Sequence, residues 1–336
     1  MNKFQHGLRG EALTTLQALA SAPEDNWWKE LLRLWTPSGR GDGLRLAIRD
    51  NTIDLYRHGN RVAHVGFGQC KKGDPAPAHV ETHAKYLRGE DAGDRMLKLN
   101  FKDGGWAWSD GSPDVSFDQI IANIDARMAA LRGGKFSRKG LEKEGVDAIA
   151  GANATVIDLE MGLPRDPALS PEDGGAPRID LVALERSGDE IRIVFWEAKT
   201  LDDPRLRIDD ESKPSEVITQ LKQYGDYLLD PDRQKEIVDA YRETCRLLAN
   251  CAEMAEGSKP LHSLVADAAK AGSNLCIDVN PRLMIFGKKN GKSAHEDLSW
   301  KRHEDKIKRF GIEPIIKDKA NEIELPIEVI DVLLPA

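Results

Sequence analysis

The chain has 336 residues, of which 40% are hydrophobic and 31% are charged, and its formal net charge is −8. This length predicts two domains of an ordinary soluble globular protein, and the negative charge argues against a protein that wraps DNA without sequence preference. No apolar run reaches membrane length, the amino terminus lacks a signal-peptide core, and the four cysteines have neither zinc nor CxxC spacing. We therefore expect a cytoplasmic protein with reduced thiols and no membrane partner.

The amino-terminal half is predicted to be an α+β domain over residues 1–132. A helix rich in Trp and Leu at Trp27–Trp35 leads into a glycine-rich loop. Three short apolar runs separated by turn residues follow, and this pattern predicts an antiparallel meander. The predicted strands are Leu44–Ile48, Thr52–Tyr56 and Arg61–Phe67. No family resemblance is evident in this half, and a role in recognition or dimerisation is an open expectation.

A predicted helix over residues 114–132 closes this first domain. Its apolar residues recur at helical spacing, and Gly133-Gly134 follow it as a carboxyl-terminal helix stop. We place the domain boundary at these glycines and expect the second domain to occupy residues 136–336.

Three charged residues lie on two neighbouring predicted strands of the second domain. Asp180 belongs to the run 178–184, and Glu197 and Lys199 end the run 191–199, with a turn signal between the runs. Because side chains alternate faces along a strand, the hairpin places Asp180 opposite Glu197, with Lys199 on the same face. Two carboxylates about 5 Å apart repel each other unless one is protonated or a cation lies between them. The pattern predicts a metal centre that receives an anionic substrate.

The next predicted helix carries Gln220 and Tyr224 four residues apart. Together with Asp180 and the tripeptide Glu197-Ala198-Lys199, this order resembles the motif series of the PD-(D/E)xK nuclease superfamily, in its RecB-like branch. The resemblance covers roughly residues 136–336. It implies an α/β fold with a restriction-endonuclease-like core, in which a helix, three antiparallel strands, a helix and a further strand (αβββαβ) build a mixed sheet.

The family name includes a proline, and Ile179 stands at that position here, which varies within the superfamily. The resemblance implies a metal-dependent phosphodiesterase, with a DNA endonuclease favoured over an RNA-cleaving enzyme. Mg²⁺ or Mn²⁺ is the implied cofactor, since carboxylate oxygens suit these cations. Asp180 and Glu197 would hold the metal, and Lys199 would orient the attacking water or stabilise charge on the phosphoryl oxygens. Restriction, phage defence, repair and mobile-element processing are all compatible with this activity.

Gln220 and Tyr224 have two interpretations. By resemblance, they support the site or contact the nucleic-acid backbone, whereas an ordinary amphipathic helix with a half-buried tyrosine carries the same pattern. A similar alternative exists for the charged residues, since Asp180, Glu197 and Lys199 could form a cross-strand salt bridge at a solvated sheet edge. A third alternative is a nucleic-acid- or protein-binding module on a nuclease fold that no longer cuts, against which the intact acids and lysine argue.

A third acidic ligand is expected from the helix that precedes these strands. Glu142 falls near the middle of the apolar stripe of this helix and Glu144 well off it, at about 100° per residue. The predicted stripe consists of Leu141, Val146, Ile149 and Ala152. We therefore favour Glu142 as the third catalytic and metal-binding acid over Glu144, and rank Glu160 in the strand 156–161 below both.

The remaining elements follow in chain order. A helical insertion is predicted over residues 231–272, and the strand Pro281–Phe286 is predicted to extend the nuclease sheet. A helix at His303–Phe310 and strands near Ile312–Ile316 and Ile323–Leu325 complete the predicted fold.

The predicted partner is nucleic acid, DNA being favoured, and a homodimer is compatible with the sequence. Basic segments at residues 288–292 and 301–309 are candidate contacts, although for each segment alone a solvated loop and a charged helix face, respectively, are slightly favoured. Gly287–Ser293 resembles a phosphate-binding loop but has one residue too few between its glycines. His79 and His83 have the i, i+4 spacing of zinc ligands on a helix, but no third ligand is evident, and we expect surface histidines.

Overall fold

The first sheet of the molecule is a meander in which each strand pairs with the next one in the chain. The computed structural model describes residues 4–88, 95–102, 105–109, 116–132, 138–163, 178–207, 213–257 and 259–328. Within these residues the first sheet has six antiparallel strands in chain order. They are β1 (Arg45–Arg49), β2 (Thr52–Arg57), β3 (Asn60–Phe67), β4 (Ala78–His83), β5 (Met96–Lys102) and β6 (Gly105–Trp108).

The predicted three-strand meander is confirmed as β1, β2 and β3, and the sheet continues into β4, β5 and β6, which the sequence analysis does not predict. In β4, the buried residues Val80 and Thr82 alternate with the half-exposed His79, Glu81 and His83. Two buried positions directly after a proline-rich loop are too short a pattern to identify a strand. The two histidines are therefore on a strand and not on a helix, so their spacing is not that of zinc ligands.

Four helices accompany the first sheet. They are α1 (Gly10–Ser21), α2 (Trp27–Leu34), α3 (Ala84–Arg88) and α4 (Phe117–Arg132). The Asn26 side chain caps α2 by accepting hydrogen bonds from the backbone N–H groups of Trp28 and Lys29, which have no partner inside the helix. One face of α2 then buries two tryptophans and two leucines against the core.

The second sheet mixes antiparallel and parallel pairs. Its strands run in the order β12-β11-β9-β8-β7, and β10 pairs with β9 outside this path. The elements are α5 (Arg138–Ala152), β7 (Val156–Gly162), β8 (Arg178–Ser187), β9 (Glu190–Thr200), α6 (Glu216–Leu228), α7 (Pro231–Met254), α8 (Ser263–Ala268), β10 (Leu275–Ile277), β11 (Arg282–Phe286), α9 (Leu298–Arg309) and β12 (Ile315–Lys317). The protein is thus a mixed α/β structure, and the order α5, β7–β9, α6, β11 is the predicted order of elements.

Helices cover both faces of the second sheet. On one face, Val146 and Ile149 of α5 pack with Leu181 and Trp196. On the other face, residues of α6 and α7 pack against Val182 and Phe195 in the main core. The central strands β8 and β9 are therefore buried on both sides, as expected for apolar runs of this length.

Several predicted boundaries differ from the structure. The helix predicted at His303–Phe310 begins at Leu298, because the Asp297 side chain accepts a hydrogen bond from the Ser299 N–H and caps it there. No strand forms at Ile323–Leu325, where a 3-10 turn at Ala320–Glu322 leads into extended chain. The predicted domain boundary at Gly133-Gly134 lies outside the described residues.

A buried polar network joins the two halves. Arg49 of β1 forms an ion pair with Asp158 of β7, Tyr241 of α7 donates a hydrogen bond of 3.1 Å to the same carboxylate, and His6 Nδ1 lies 3.3 Å from it. Burial lowers the pKa of His6 to about 4, so its imidazole is neutral. The backbone N–H of Phe4 donates to Glu236 of α7 at 3.4 Å. The amino-terminal segment, both sheets and α7 thus share one core.

None of the helices in the described ranges combines the length and the apolar composition that crossing a bilayer requires. All four cysteines carry free thiols; Cys245 and Cys251 are buried, and Cys70 is exposed.

Candidate active site

The β8–β9 hairpin sets the position of the charged residues. Ser187 pairs with Glu190 across a two-residue turn, and Val182 pairs with Phe195, which confirms the predicted register. Gly188 has a φ of +56°, the left-handed conformation that such a turn requires and that glycine adopts without strain. Counting along the pairs places Asp180 opposite Glu197.

Three carboxylates surround the ammonium group of Lys199. It donates a short hydrogen bond to Glu197 Oε1, and it lies 3.7 Å from Asp180 Oδ2 and 3.8 Å from Glu142 Oε1. The Asp180 carboxylate also accepts a hydrogen bond of 2.8 Å from the Ala198 N–H on the neighbouring strand. The structure thus brings together the four residues predicted to be catalytic.

This cluster lies in the interior of the sheet and not at its edge. The Glu197 side chain is 2% exposed and the Lys199 side chain 1% exposed, because β9 lies between β8 and β11. The alternative of a salt bridge at a solvated edge is therefore wrong about its location, although Lys199 does pair with Asp180 and Glu197. Burying charged groups such as Glu197 and Lys199 is costly, and apolar residues of similar size are commonly at least as stable, which favours a functional reason for this pair. The Asp180 and Glu142 side chains are 19% and 18% exposed.

Close packing of α5 on the sheet brings Glu142 to the cluster. Gly145 faces the Phe286 ring of β11 so closely that a Cβ atom there would lie 2.0 Å from it. The predicted apolar stripe is wrong at both ends, because Leu141 is 39% exposed and Ala152 is also exposed. The middle of this stripe alone faces the core, and Glu142, in the first half of the helix, is partly exposed and reaches Lys199.

Glu160, the lowest-ranked candidate for the third acid, has different partners. Its carboxylate lies 3.0 Å from Lys143 Nζ and 3.8 Å from Arg178 Nη1. Its backbone has a φ of +49°, which is rare for a non-glycine residue inside a strand. On α5, Glu142 and not Glu144 is the acid within 3.8 Å of Lys199.

Gln220 contacts Glu197 directly, and Tyr224 is connected to the site through Gln220. Gln220 Nε2 donates to Glu197 Oε1 at 2.8 Å and lies 2.6 Å from the Tyr224 hydroxyl. The Tyr224 hydroxyl in turn donates to the Arg178 carbonyl at the beginning of β8. Their four-residue spacing therefore does more than bury a tyrosine, since it joins α6 to the acid on β9 and to the strand that carries Asp180.

Sequence reasoning missed Arg205 and Asp203. Arg205 Nη2 donates to Glu142 Oε2 at 3.0 Å and to Asp203 Oδ2 at 2.6 Å. The Asp203 side chain also caps the short 3-10 turn Pro204–Leu206. Asp-Pro is a recognisable turn signal, but nothing in the sequence shows that the next arginine reaches an acid 63 positions earlier.

The site has more acidic than basic side chains. Burial, together with the neighbouring acids, raises the pKa values of its carboxyl groups. Burial raises the pKa of Glu142 and of Asp180, and burial together with the Asp180 carboxylate raises the pKa of Glu197 to about 8. Burial alone lowers the pKa of a lysine, but attraction to the three carboxylates outweighs it, so the pKa of Lys199 is raised. The cluster therefore retains a proton or attracts a further cation.

The donor set fits a hard divalent cation. Glu197 Oε2 is buried, and among the described residues nothing donates a hydrogen bond to it. An unpaired buried carboxylate oxygen is costly unless a cation binds it. In the described ranges, no three or more acids, histidines or cysteines are already arranged as the ligands of a metal ion. The Lys199 ammonium lies among the three carboxylates instead, so a metal would bind to Glu142, Asp180 and Glu197 in competition with it.

Comparison of the chain with protein-family models, with curated proteins and with solved structures returned no significant match.

Proposed function

We propose that this protein is a divalent-metal-dependent nuclease of the PD-(D/E)xK type, with DNA as the favoured substrate. The observation that carries the proposal is the convergence of Glu142, Asp180 and Glu197 on the buried ammonium of Lys199, with one oxygen of the buried Glu197 left without a donor among the described residues. The order of elements, the hydrogen bond from Gln220 to Glu197 and the contact of Gln220 with the Tyr224 hydroxyl support a restriction-endonuclease-like core.

Each of these residues has a separate role in the proposed hydrolysis of a phosphodiester. Mg²⁺ or Mn²⁺ bound to the carboxylates would polarise the scissile phosphate and lower the pKa of a bound water. Lys199 is one pleat beyond Glu197 on the same face, where its ammonium can stabilise charge that develops on the phosphoryl oxygens. Gln220 holds the Glu197 carboxylate in place, and Arg205 holds that of Glu142.

A basic turn lies at the same end of the sheet as these residues. Phe286 at the end of β11 pairs with Thr200 of β9, and the segment 288–292 follows directly. Within it, Lys288 and Lys292 are exposed, although Lys288 also lies 3.4 Å from Asp318. Its position favours a contact with substrate phosphates over a merely solvated loop.

The metal requirement is the decisive test of this function. We expect cleavage of plasmid DNA in Mg²⁺ or Mn²⁺, and a higher melting temperature with either ion, because a ligand that binds the native state alone stabilises it. Ca²⁺ should raise the melting temperature but support little cleavage, since its looser coordination positions the water poorly. Parallel incubations with RNA show which polymer is cut. Robust activity in excess EDTA would exclude the mechanism.

Replacing Gln220 by alanine should weaken metal binding and activity about 10- to 100-fold, the usual effect of losing a residue that orients a ligand. Isothermal titration with Mn²⁺ measures this loss. Gln223→Ala is the matched control, because Gln223 is an exposed glutamine on the same helix. Equal affinities for the two variants would mean that Gln220 does not orient Glu197.

Metal affinity should rise with pH. The pKa of Glu197 is raised from 4.5 to about 8 in the folded protein. Its proton therefore stabilises the metal-free fold fully below pH 4.5, and this contribution is lost as pH rises through about 8. Metal binding requires the ionised carboxylate, so we expect tighter Mg²⁺ binding over the same range, with protons released into the buffer. Titrations in buffers of different ionisation enthalpy count these protons, and an affinity independent of pH would contradict the prediction.

A further inference from the structure

Two adjacent cavities lie in the cleft between the halves and share part of their lining. The smaller one has a volume of about 430 Å³ and contains Glu142 and Asp180 in its wall. The larger one, of about 770 Å³, is bounded by the first sheet and by β7. Tyr56, Gly59, Lys143, Glu160 and Arg178 line both cavities. These shared residues therefore mark a path from the carboxylate cluster to the amino-terminal half.

The turn between β2 and β3 forms one wall of this path. Gly59, with a φ of +67°, packs so tightly against α5 that a Cβ atom would lie 2.6 Å from the Lys143 Cβ. Further along the path, Arg61 and Lys85 line the larger cavity. The Asp54 carboxylate there is already paired, since it lies 2.7 Å from His64 Nδ1 and 3.4 Å from Arg61. The cleft is thus acidic at the catalytic end, and beyond it the larger cavity has a small excess of positive charge: three acids, Asp50, Asp54 and Glu160, against five cations, Arg49, Arg61, Lys85, Lys143 and Arg178.

Glu160 lies at the junction of the two cavities. Its carboxylate is held between Lys143 and Arg178, whose side chains are 39% and 68% exposed. The left-handed backbone at this residue is a local strain, and such strain is concentrated at functional sites. A carboxylate between two exposed cations occupies the position that a phosphate group of a bound polymer would take.

We propose that this cleft binds a single-stranded polynucleotide, whose phosphates replace the Glu160 carboxylate on Lys143 and Arg178. The inference rests on the proposed function, because the same strand then presents a phosphodiester to Asp180 and Glu142. The first sheet becomes the second wall of the substrate site, which gives the amino-terminal half a role in holding the strand.

The dimensions favour a single strand over a duplex. The smaller cavity, at about 430 Å³, has the size of a small-molecule pocket, for which about 300–1,000 Å³ is usual, so it has room for the nucleotides of one strand. Asp180 and Glu142 line this small cavity, so a phosphate reaches them only if its strand enters without its complement. A flap, an overhang or an unpaired loop satisfies this condition.

The test measures binding without cleavage. Fluorescein-labelled single-stranded DNA, single-stranded RNA and blunt duplex DNA are titrated by anisotropy in Ca²⁺ at several KCl concentrations. Each lost phosphate contact on a single strand lowers affinity about fivefold at about 0.1 M salt and reduces the slope of log Kd against log salt by about 0.7. We expect the lower affinity and the reduced salt slope from Lys143→Glu and from Arg178→Glu. Glu160→Gln should bind single strands more tightly than the wild type does. The wild type should bind the duplex more weakly than the single strands.

Lys270→Glu is the matched control. Lys270 is an exposed lysine that also pairs with an acid, 2.7 Å from Asp267, near the opposite end of β8. The Lys270→Glu variant should bind single strands with the affinity of the wild type. For every variant, the melting temperature with Mn²⁺ tests whether the fold and the metal site persist. Tighter binding of single-stranded DNA or of single-stranded RNA by the wild type shows which of the two polymers the cleft prefers.

Two outcomes separate this inference from the proposed function. If the wild type cuts nucleic acid but Lys143→Glu and Arg178→Glu keep its affinity and salt slope, the cleft inference is overturned and the nuclease stands. If the wild type neither binds nor cuts any of the three polymers, both are overturned.

Discussion

Asp180→Asn is expected to abolish cleavage while the protein stays folded. The change removes a metal-binding charge, and a loss of about 4 kcal/mol of transition-state stabilisation corresponds to about 10³-fold in rate. Asparagine keeps an oxygen that can accept the hydrogen bond from the Ala198 N–H. It also removes one of three negative charges around Lys199, so the melting temperature without metal should hold steady or rise. Glu197→Gln should behave in the same way.

Asp189→Asn is the control for both variants. Asp189 is an exposed acid in the turn of the same hairpin, at the opposite end from Asp180. Its replacement should leave cleavage unchanged. A drop of many degrees in the metal-free melting temperature of Asp180→Asn would instead indicate that the acids have a structural role only.

Lys199→Met is expected to lose turnover but to keep metal binding, because a protonated lysine cannot bind a metal. A charge that acts in the transition state lowers kcat by about 10²–10³-fold when removed. The structure adds a second expectation. Without Lys199, the buried Glu197 and the partly exposed Asp180 and Glu142 lose their counter-charge, which destabilises the metal-free protein by about 3–5 kcal/mol, and Mn²⁺ should restore much of this loss.

Isothermal titration, melting with and without Mn²⁺, and kcat together test Lys199. Lys306→Met controls for the loss of a buried lysine, since the Lys306 side chain is also buried but belongs to α9. That variant should retain turnover and show no rescue by Mn²⁺. Loss of Mn²⁺ binding in Lys199→Met would mean that the lysine holds the carboxylates in position, and its assigned catalytic role would be wrong.

The hairpin was predictable because its information is local. A run of alternating or apolar residues, a glycine turn and the two-residue period of a strand determine which residues are opposite each other. Asp180, Glu197 and Lys199 follow from that register, and Gln220 and Tyr224 from helical spacing. The strands β1–β3 were predictable for the same reason.

The rest depends on contacts between distant parts of the chain. Arg205 reaches Glu142 because α5 packs closely on the sheet, which no periodicity of either segment indicates. The left-handed backbone of Glu160 and the wall that Gly59 forms against Lys143 are likewise tertiary features. Strand β4 was missed because the sheet it joins, and not its own short pattern, stabilises it.

The buried network around Asp158 has a consequence for the order of folding. Phe4 hydrogen-bonds to Glu236 across 232 residues, and Tyr241 reaches Asp158 across 83. During synthesis, the first residues must wait until α7 has left the ribosome before their burial is complete. Contacts of such long range are formed late and slow the final step, because the entropy of closing the loop is lost before the contact forms. The amino-terminal half therefore remains an incomplete folding unit until α7 is available, and its apolar surface is prone to aggregation during that interval.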